Sequence, residues 1–589
     1  MRIILLWRDL KGAKQDPLQV ASRLQGIFHP LFHQTLGPTV VQRSELSLIF
    51  LQLPVKGWRA PFAEEDPGAA AFTTDYPVQA EAVLRERGIN TTARPLLPLF
   101  ARELQRDPAS VLLKTAPPFC VVWNSKQCEE TYVQNDALGQ SQLFEFQDAT
   151  LWALTNRITA LKALGVSLRP VAEDWAVRFT CGWFPLNLTG YENLKFVDPG
   201  IQLRITPQGV ARRSSAVLND WLHPEARSVK DCLELARDSL LHQIEAAVPN
   251  WEKPSVGLSG GWDSRAVASS LRVLNAEFSA RVRGLPGRND VLIARDLARI
   301  AGFPLKHKSS GGLPPEDPKD CKRSLRLALL WQAGHMVGRK HKSFLSRGTF
   351  LDGGVVNVMG QHGEIGRGYY SKKIGPIRNP GVPPARHPSA HTDDYGRRLV
   401  NILMRRMPPF TRQKYHDVVY ETVLAAFRQA AQYDLEGLLS LDFFYLFERT
   451  RRWASASLSA QSGFVFAPFL NPDYIRAVFA YPGFDKERNP FHRYIIAKNS
   501  PEWADVPYSE DVESAMPTLS SDSWKKADTH QNYDSTQYWS TAGRPLLQEA
   551  LRSDGFWTEI FDPKQARTGW QAAPDELVIA HLLTELVAA

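Results

Sequence analysis

Cysteine is scarce in this chain: five among 589 residues, at positions 120, 128, 181, 232 and 321. The number is odd, the spacing is wide and no C-x-x-C pair occurs. That excludes a disulfide framework, a cysteine zinc site and a dithiol redox pair. Long apolar runs are also missing. Nothing approaches the roughly eighteen consecutive apolar residues of a membrane span. The run Ile3-Ile4-Leu5-Leu6-Trp7 turns charged at Arg8 and Asp9, too soon for a secretory leader, so it reads as a first strand. A cytoplasmic protein with reduced thiols is expected. Nor is there an excess of one charge. The chain carries 70 Lys and Arg against 62 Asp and Glu, a net of +8. No basic tract is interleaved with aromatics, so nucleic acid is not an expected partner.

What remains is ordinary globular composition, 43% hydrophobic and 22% charged, which excludes a disordered or fibrous chain. The length is too great for one core. The first part reads as strand-rich: Ser47 to Leu51 and Phe119 to Trp123 are short apolar runs of buried-strand type. Trp152 to Leu164 carries apolar residues at helical spacing. Asn193 to Val210 alternates. The polar stretch from Ala211 to Ser228 marks the expected boundary, giving two domains, 1–215 and 216–589.

Beyond it the period changes. Val229, Leu233, Ala236, Leu240, Ile244 and Ala247 mark one helix face, ending near Pro249. A strand (Ser255 to Leu258), a tight turn (Ser259-Gly260-Gly261-Trp262-Asp263-Ser264) and a helix from about Arg265 follow. Then come a strand (Phe278 to Arg283) and a helix (Asp290 to Ala301). This alternation predicts a parallel α/β sheet. Helical segments dominate the last third, at Leu399 to Met407, Lys414 to Ala431 and Leu438 to Ser457.

The turn carries the chemistry. Glycines between a buried strand and a helix start let the backbone approach an oxyanion, which the first helical N–H groups face. Ser259 and Ser264 add hydroxyl donors. Asp263 would repel a bare phosphate, so its sensible task is to hold a divalent cation that neutralises pyrophosphate.

S-G-G-x-D-S after a strand resembles the pyrophosphate loop of ATP pyrophosphatases, and the chain as a whole resembles the asparagine synthetase family. Arg281 to Asp290 is similar to the family's second strand and its acidic turn. Gly360-Gln361-His362-Gly363-Glu364-Ile365-Gly366-Arg367-Gly368-Tyr369-Tyr370 resembles the segment G-E-G-x-D-E-x-F-G-G-Y. Ala467-Pro468-Phe469-Leu470-Asn471 resembles V-P-F-L-D. Asn135 to Gly139 and Asn193 to Val210, with Asp198-Pro199-Gly200 at its turn, resemble a turn and the closing hairpin of the glutaminase domain.

The resemblance implies an N-terminal glutaminase-like sandwich of the Ntn type. A PP-loop ATP pyrophosphatase domain would follow, with a helical C-terminal part, α+β and then α/β. Its cofactors would be ATP and Mg²⁺. Ser259, Gly260, Gly261, Asp263, Ser264 and Asp290 would bind ATP, and Asp263 and Glu364 would hold the metal. His362, Tyr369 and Tyr370 are the catalytic candidates. His362 reads more simply as a hydrogen-bonded loop histidine, and the two tyrosines read equally as core aromatics.

The departures point to a particular branch. Arg2 stands where glutamine-dependent members carry a cysteine nucleophile, and a guanidinium cannot take that role. Gln361 stands where the family has its catalytic glutamate. A one-residue shift would instead leave Gly363 at the metal position, but the register given keeps Gly360, Gly368 and Tyr370 matched. The family's late lysine has no clear match: Ala504 to Tyr508 occupies its neighbourhood, and Lys498, Lys525 and Lys526 lie nearby. Arg449, Arg451 and Arg452 could face ATP phosphates or an acidic peptide, but a solvated helix face is the commoner explanation of such a cluster, and the run Arg339 to Lys342 reads as a surface turn.

Together these features imply an ATP-dependent carbon–nitrogen ligase that uses free ammonia or an amine carried by the substrate. The favoured expectation is a lasso-type peptide cyclase acting on a peptide carboxylate. Its partners would be a precursor peptide and a protease. An ammonia-using asparagine synthetase, a tRNA sulfur-transfer enzyme and a non-catalytic nucleotide-binding scaffold are the other readings.

Overall fold

The computed structural model describes residues 1–11, 14–31, 37–43, 45–92, 95–309, 318–331, 355–375, 392–454, 463–483, 485–510, 535–541 and 543–588. The run Arg339 to Lys342, Lys525 and Lys526 lie outside them. Among the described residues no helix is long and apolar enough to cross a membrane. Cys120, Cys128, Cys181 and Cys232 are free thiols.

Twelve strands form two antiparallel sheets. They are β1 (Arg2–Asp9), β2 (Thr39–Arg43), β3 (Leu46–Gln52), β4 (Ala63–Glu65), β5 (Ala69–Thr73) and β6 (Cys120–Ser125). β7 (Thr131–Asn135), β8 (Phe144–Gln147), β9 (Leu151–Thr155), β10 (Leu194–Phe196), β11 (Ile201–Thr206) and β12 (Gly209–Ser214) complete the set. The orders are β10-β8-β9-β1-β3-β2 and β12-β11-β7-β6-β5-β4. Phe50 of one sheet packs on Phe72 of the other, ring centroids 5.4 Å apart. The helix Leu96–Arg106 lies against β4, β5 and β6, and Pro17–Phe28 against β2 and β3. Central strands therefore have both faces covered. This is why Arg2 to Trp7 and Cys120 to Asn124 are continuously buried and read as apolar runs without alternation.

Two expectations fail here. Trp152 to Leu164 is not one helix: it is β9 followed, after Asn156 and Arg157, by a 3₁₀ helix (Ile158–Leu164) that Gly165 ends in the left-handed conformation. The strand half is buried on both faces, and that apolar run mimics helical spacing. Nor is Asn193 to Val210 a hairpin. β10 pairs with β8 in one sheet, whereas β11 pairs with β7 and β12 in the other. The chain changes sheets at Asp198-Pro199-Gly200, and the real hairpin is β11–β12. Asn135 pins that crossing: its amide donates to the Asp198 carbonyl (2.8 Å) and its carbonyl accepts from the Ile201 N–H (2.9 Å).

The polar stretch from Ala211 to Ser228 is not plain linker. It completes β12, contains the helix Val217–Leu222 with Trp221 fully buried, and ends at Ser228. Ser228 and Asp231 form a capping box on the helix Val229–Ala247.

The third sheet is wholly parallel. It contains β13 (Ser255–Gly257), β14 (Ser279–Arg283), β15 (Leu305–Lys308), β16 (Val356–Val358) and β17 (Phe464–Phe466). Their order is β15-β14-β13-β16-β17. Strand order reverses between β13 and β16, so a switch-point crevice opens at the carboxyl ends of those two strands. The last expected helix, Leu438 to Ser457, is an α-helix (Gly437–Phe443) that passes into a π-helix (Phe444–Ala454).

Candidate functional site

The segment 259–264 leaves β13 at that crevice. Val256 and Leu258 are buried and anchor it. The helix begins at Trp262, three residues before the expected start, so Asp263 and Ser264 lie in its first turn. Gly261 is the N-cap and supplies no side-chain cap. The loop is braced from within. The Ser259 N–H donates to Ser264 Oγ (3.2 Å), the Gly261 N–H donates to Ser259 Oγ (3.1 Å), and the two hydroxyls are 2.9 Å apart. Asp290 braces it from outside, accepting from the Gly260 N–H (3.0 Å) and the Ser509 hydroxyl (2.6 Å). It therefore holds the loop's shape. The Ser509 N–H returns a bond to the Gly260 carbonyl (3.1 Å).

Arg265 fixes the 506–509 segment under the helix. Its guanidinium is fully buried and donates to the carbonyls of Val506 (2.7 Å) and Pro507 (2.8 Å). Tyr508 stacks on Trp262 at 3.2 Å between centroids.

The segment after β16 closes on the loop. A Cβ on Gly360 would lie 2.6 Å from the Asp263 carbonyl carbon and 2.7 Å from the Ser264 nitrogen, so only glycine fits. A Cβ on Gly363 would meet His492 Nε2 at 2.9 Å. This contact brings Glu364 to Asp263. Burial, then the Asp263 charge, push the Glu364 carboxyl up to about 7. Burial also opposes ionisation of Asp263, but His492 and Arg367 outweigh it and hold that carboxyl below its usual value. His492 Nε2 lies 2.8 Å from Asp263 Oδ1, and Arg367 Nη1 lies 3.1 Å from Oδ2. Arg367 also pairs with Glu510 (2.6 Å) and donates to Asn489 Oδ1 (2.8 Å). Beside this cluster an open cavity of about 430 Å³ is lined in part by Lys372, Arg488, Arg493 and Glu510.

His362 joins the crevice, 2% exposed and with a left-handed φ of 73°. Burial pushes its imidazole down to about 3, which makes it a poor proton acceptor near neutrality. Neither ring nitrogen has a partner among the described residues, nor do Gln361 Oε1 and Trp262 Nε1. Such atoms occur elsewhere in the chain too, on Arg2 and Arg178 among others, but here they stand beside a glycine-lined loop whose backbone a ligand could approach. Tyr369 and Tyr370 pack around Tyr445, the tyrosine that interacts with Glu364. They contact each other edge to face at 5.0 Å, and Tyr369 packs on Tyr445 at 4.7 Å. Burial raises the Tyr370 hydroxyl above its ordinary range, so it stays protonated and can donate.

Among the described residues no group of three or more His, Cys, Asp and Glu could hold a metal ion. Two mutually repelling carboxylates do suit Mg²⁺, which takes one or two carboxylates and completes its shell with phosphates and water. The contacts from His492 and Arg367 leave lone pairs free on Asp263, because a carboxylate offers about four acceptor sites.

Sequence reasoning missed His492, Arg367, Ser509 and Tyr445. Arg367 stands inside the quoted glycine-rich segment, but His492 has no local signal. Lys498 is exposed, with its ammonium 5.6 Å from the Tyr494 ring. The expected solvated face is also overturned. Arg451 and Arg452 are each 2% exposed and turned toward the first two sheets. Gln142 donates to the Arg451 carbonyl (2.9 Å), and Arg452 lies over the Phe196 ring at 4.1 Å.

No family model matches the chain, and no curated protein does. The solved structures that are similar over part of it include two enzymes. One is the allosteric regulatory enzyme of purine biosynthesis. It is 14% identical, with 64% of this chain and 77% of that chain covered and a TM-score of 0.25. The other is glutamine phosphoribosylpyrophosphate amidotransferase from B. subtilis in complex with ADP and GMP. It is 14% identical, with 63% and 77% covered and a TM-score of 0.26. Likeness of that degree leaves the fold to be read from its own strand pairing.

Proposed function

We propose that this chain is an ATP-dependent amide-bond synthetase that forms AMP and pyrophosphate. The observation that carries the reading is the Gly-rich loop at the switch point of a parallel sheet, with Asp263 in the first helical turn against Glu364. Ser259, Gly260, Gly261 and Ser264 hold the phosphates at a helix start without a side-chain cap. Asp263 and Glu364 hold Mg²⁺, which when bound neutralises the charge of the departing pyrophosphate. Arg367 and His492 orient the Asp263 carboxylate. A substrate carboxylate oxygen attacks the α-phosphorus and pyrophosphate leaves. An amine nitrogen then attacks the acyl carbon and AMP leaves with the bonding electron pair. The protein contributes charge stabilisation and the alignment of two poor reactants.

Arg2 favours an amine already present in the substrate. Its buried guanidinium pairs with Asp75 at 4.0 Å and donates to the Thr74 and Gly463 carbonyls. It fills the position a glutamine-hydrolysing cysteine would need. Closure of a peptide macrolactam is the specific reaction we favour. An ammonia-using asparagine synthetase would share this site and differ only in acid and amine. ATP–pyrophosphate exchange tests the proposal. Carboxylate-dependent exchange, reduced at least about 100-fold by Asp263→Ala, is expected from the loss of one charge-stabilising group. Tight ATP binding with no exchange for any amino-acid or peptide acid would refute it.

A further inference from the structure

Three arginines on one turn of the π-helix meet different fates. Arg451 and Arg452 face Glu448, whose carboxylate accepts from the Leu186 N–H at 3.0 Å. Arg449 points the other way, toward the tyrosines beside Glu364. Its guanidinium carbon lies 4.7 Å from the Tyr369 ring centroid, 5.1 Å from that of Trp453 and 5.6 Å from that of Trp183. The Lys373 ammonium adds a second cation 3.7 Å from the Tyr369 ring. No described carboxylate forms an ion pair with Arg449. Aromatic faces stabilise a guanidinium, but they leave its donor fork free for an acceptor.

Two further features define what fits. The buried Tyr370 hydroxyl has no hydrogen-bond partner among the described residues, and burial keeps it protonated, so a donor is available near the fork. Trp453 is 38% exposed, one of the few large apolar side chains so open to solvent. A planar fork recognises an oxyanion in two-point fashion, and an exposed indole beside it suits an apolar group on the same molecule.

We propose that Arg449, with Tyr370 and the Trp453 ring, is a subsite for the carboxylate of an acid or peptide bearing an aromatic or apolar group. The assignment of that acid as the substrate rests on the synthetase reading. The geometry of the subsite does not.

The test labels arginines of the full chain with phenylglyoxal and maps them by mass spectrometry. Arg449 should react, while buried Arg451 and Arg452 stay unmodified. N-acetylphenylalanine should slow Arg449 labelling at least about 10-fold, and N-acetylphenylalaninamide, which lacks the carboxylate, should not. Inorganic pyrophosphate should also leave the rate unchanged. An unreactive Arg449, equal rates with and without the acid, or protection by pyrophosphate in place of the acid would each overturn the subsite. Arg449→Gln should raise the KM for the acid at least about 10-fold in exchange assays and leave that for ATP unchanged. Labelling needs no ATP, so loss of exchange with protection intact would remove the synthetase reading alone.

Discussion

Arg2 and the 259–264 loop lie at opposite ends of central strands, β1 and β13, and the chain treats the two places differently. Around Arg2 the interior is filled. The guanidinium reaches Asp75, Thr74 and Gly463 and lies 4.1 Å over the Phe62 ring. Trp58 seals the same junction against Phe464 at 4.1 Å. Around the loop the interior is kept bare. Gly360 and Gly363 remove side chains where Asp263 approaches. A buried charge paired within its own protein holds a structure together, whereas backbone laid bare by glycines lets a ligand approach.

The largest effect should come from filling the bare side. Gly360→Ala puts a methyl into the Asp263–Ser264 backbone, which cannot move without opening the helix start. ATP binding should weaken more than about 100-fold and stability should fall by about 1–3 kcal/mol, as for other overpacked sites. Isothermal titration and a denaturant melt would measure both. Gly209→Ala in the β11–β12 turn, where a Cβ meets nothing within 4 Å, should do neither. Equal behaviour of the two variants would erase the distinction between a bare site and an ordinary turn.

Next comes emptying the filled side. Arg2→Met removes a buried charge that has a carboxylate and two carbonyls as partners. It should destabilise by up to about 3 kcal/mol, because Asp75 loses its ion-pair partner and keeps the nearby charge of Arg157. Carboxylate-dependent exchange at the loop should persist at temperatures where the variant is folded. Loss of exchange in a folded Arg2→Met protein would mean that the first two sheets contribute to the chemistry.

The strand and helix of the loop were legible because local order alone makes them: an apolar run, two glycines and an amphipathic period. The parallel sheet followed from strand–helix alternation, with ends at Ser279 and Asn289 within one residue of expectation. The sheet change at Asp198-Pro199-Gly200 was not legible. Period-two alternation says which face of a strand is buried, not which sheet it joins. The π-helix was hidden for a similar reason, since its apolar residues fit a 3.6 period until the backbone widens. The partners of Asp263 lie 104 and 229 residues away, at Arg367 and His492. Only the fold brings them together, and so the acid was found while its neighbours were not.

A smaller effect separates the loop's contacts from its brace. Asp290→Ala removes two hydrogen-bond acceptances, each worth about 1 kcal/mol, from the outside of the loop. The KM for ATP should rise about 10-fold with little change in kcat, since Asp290 shapes the loop without facing the reacting atoms. A fall in kcat at unchanged KM would instead put Asp290 in contact with the transition state.

The smallest effect lies wholly in the first two sheets and should leave the loop untouched. The Arg102 hydrogen bond holds Asp66 at about 2, against an ordinary 3.8. A depressed carboxyl binds fewer protons folded than unfolded, so its stabilisation is complete above about pH 4 and is lost as pH falls toward 2. Arg102 is partly exposed, and solvent screening keeps the contribution under about 1 kcal/mol. Arg102→Met should lower the melting temperature slightly at pH 6 and by clearly less at pH 2, where Asp66 is about half protonated in the folded chain. ATP affinity at neutral pH should be unchanged. A variant that melts earlier by the same amount at both pH values would mean that Arg102 acts by packing, not by charge.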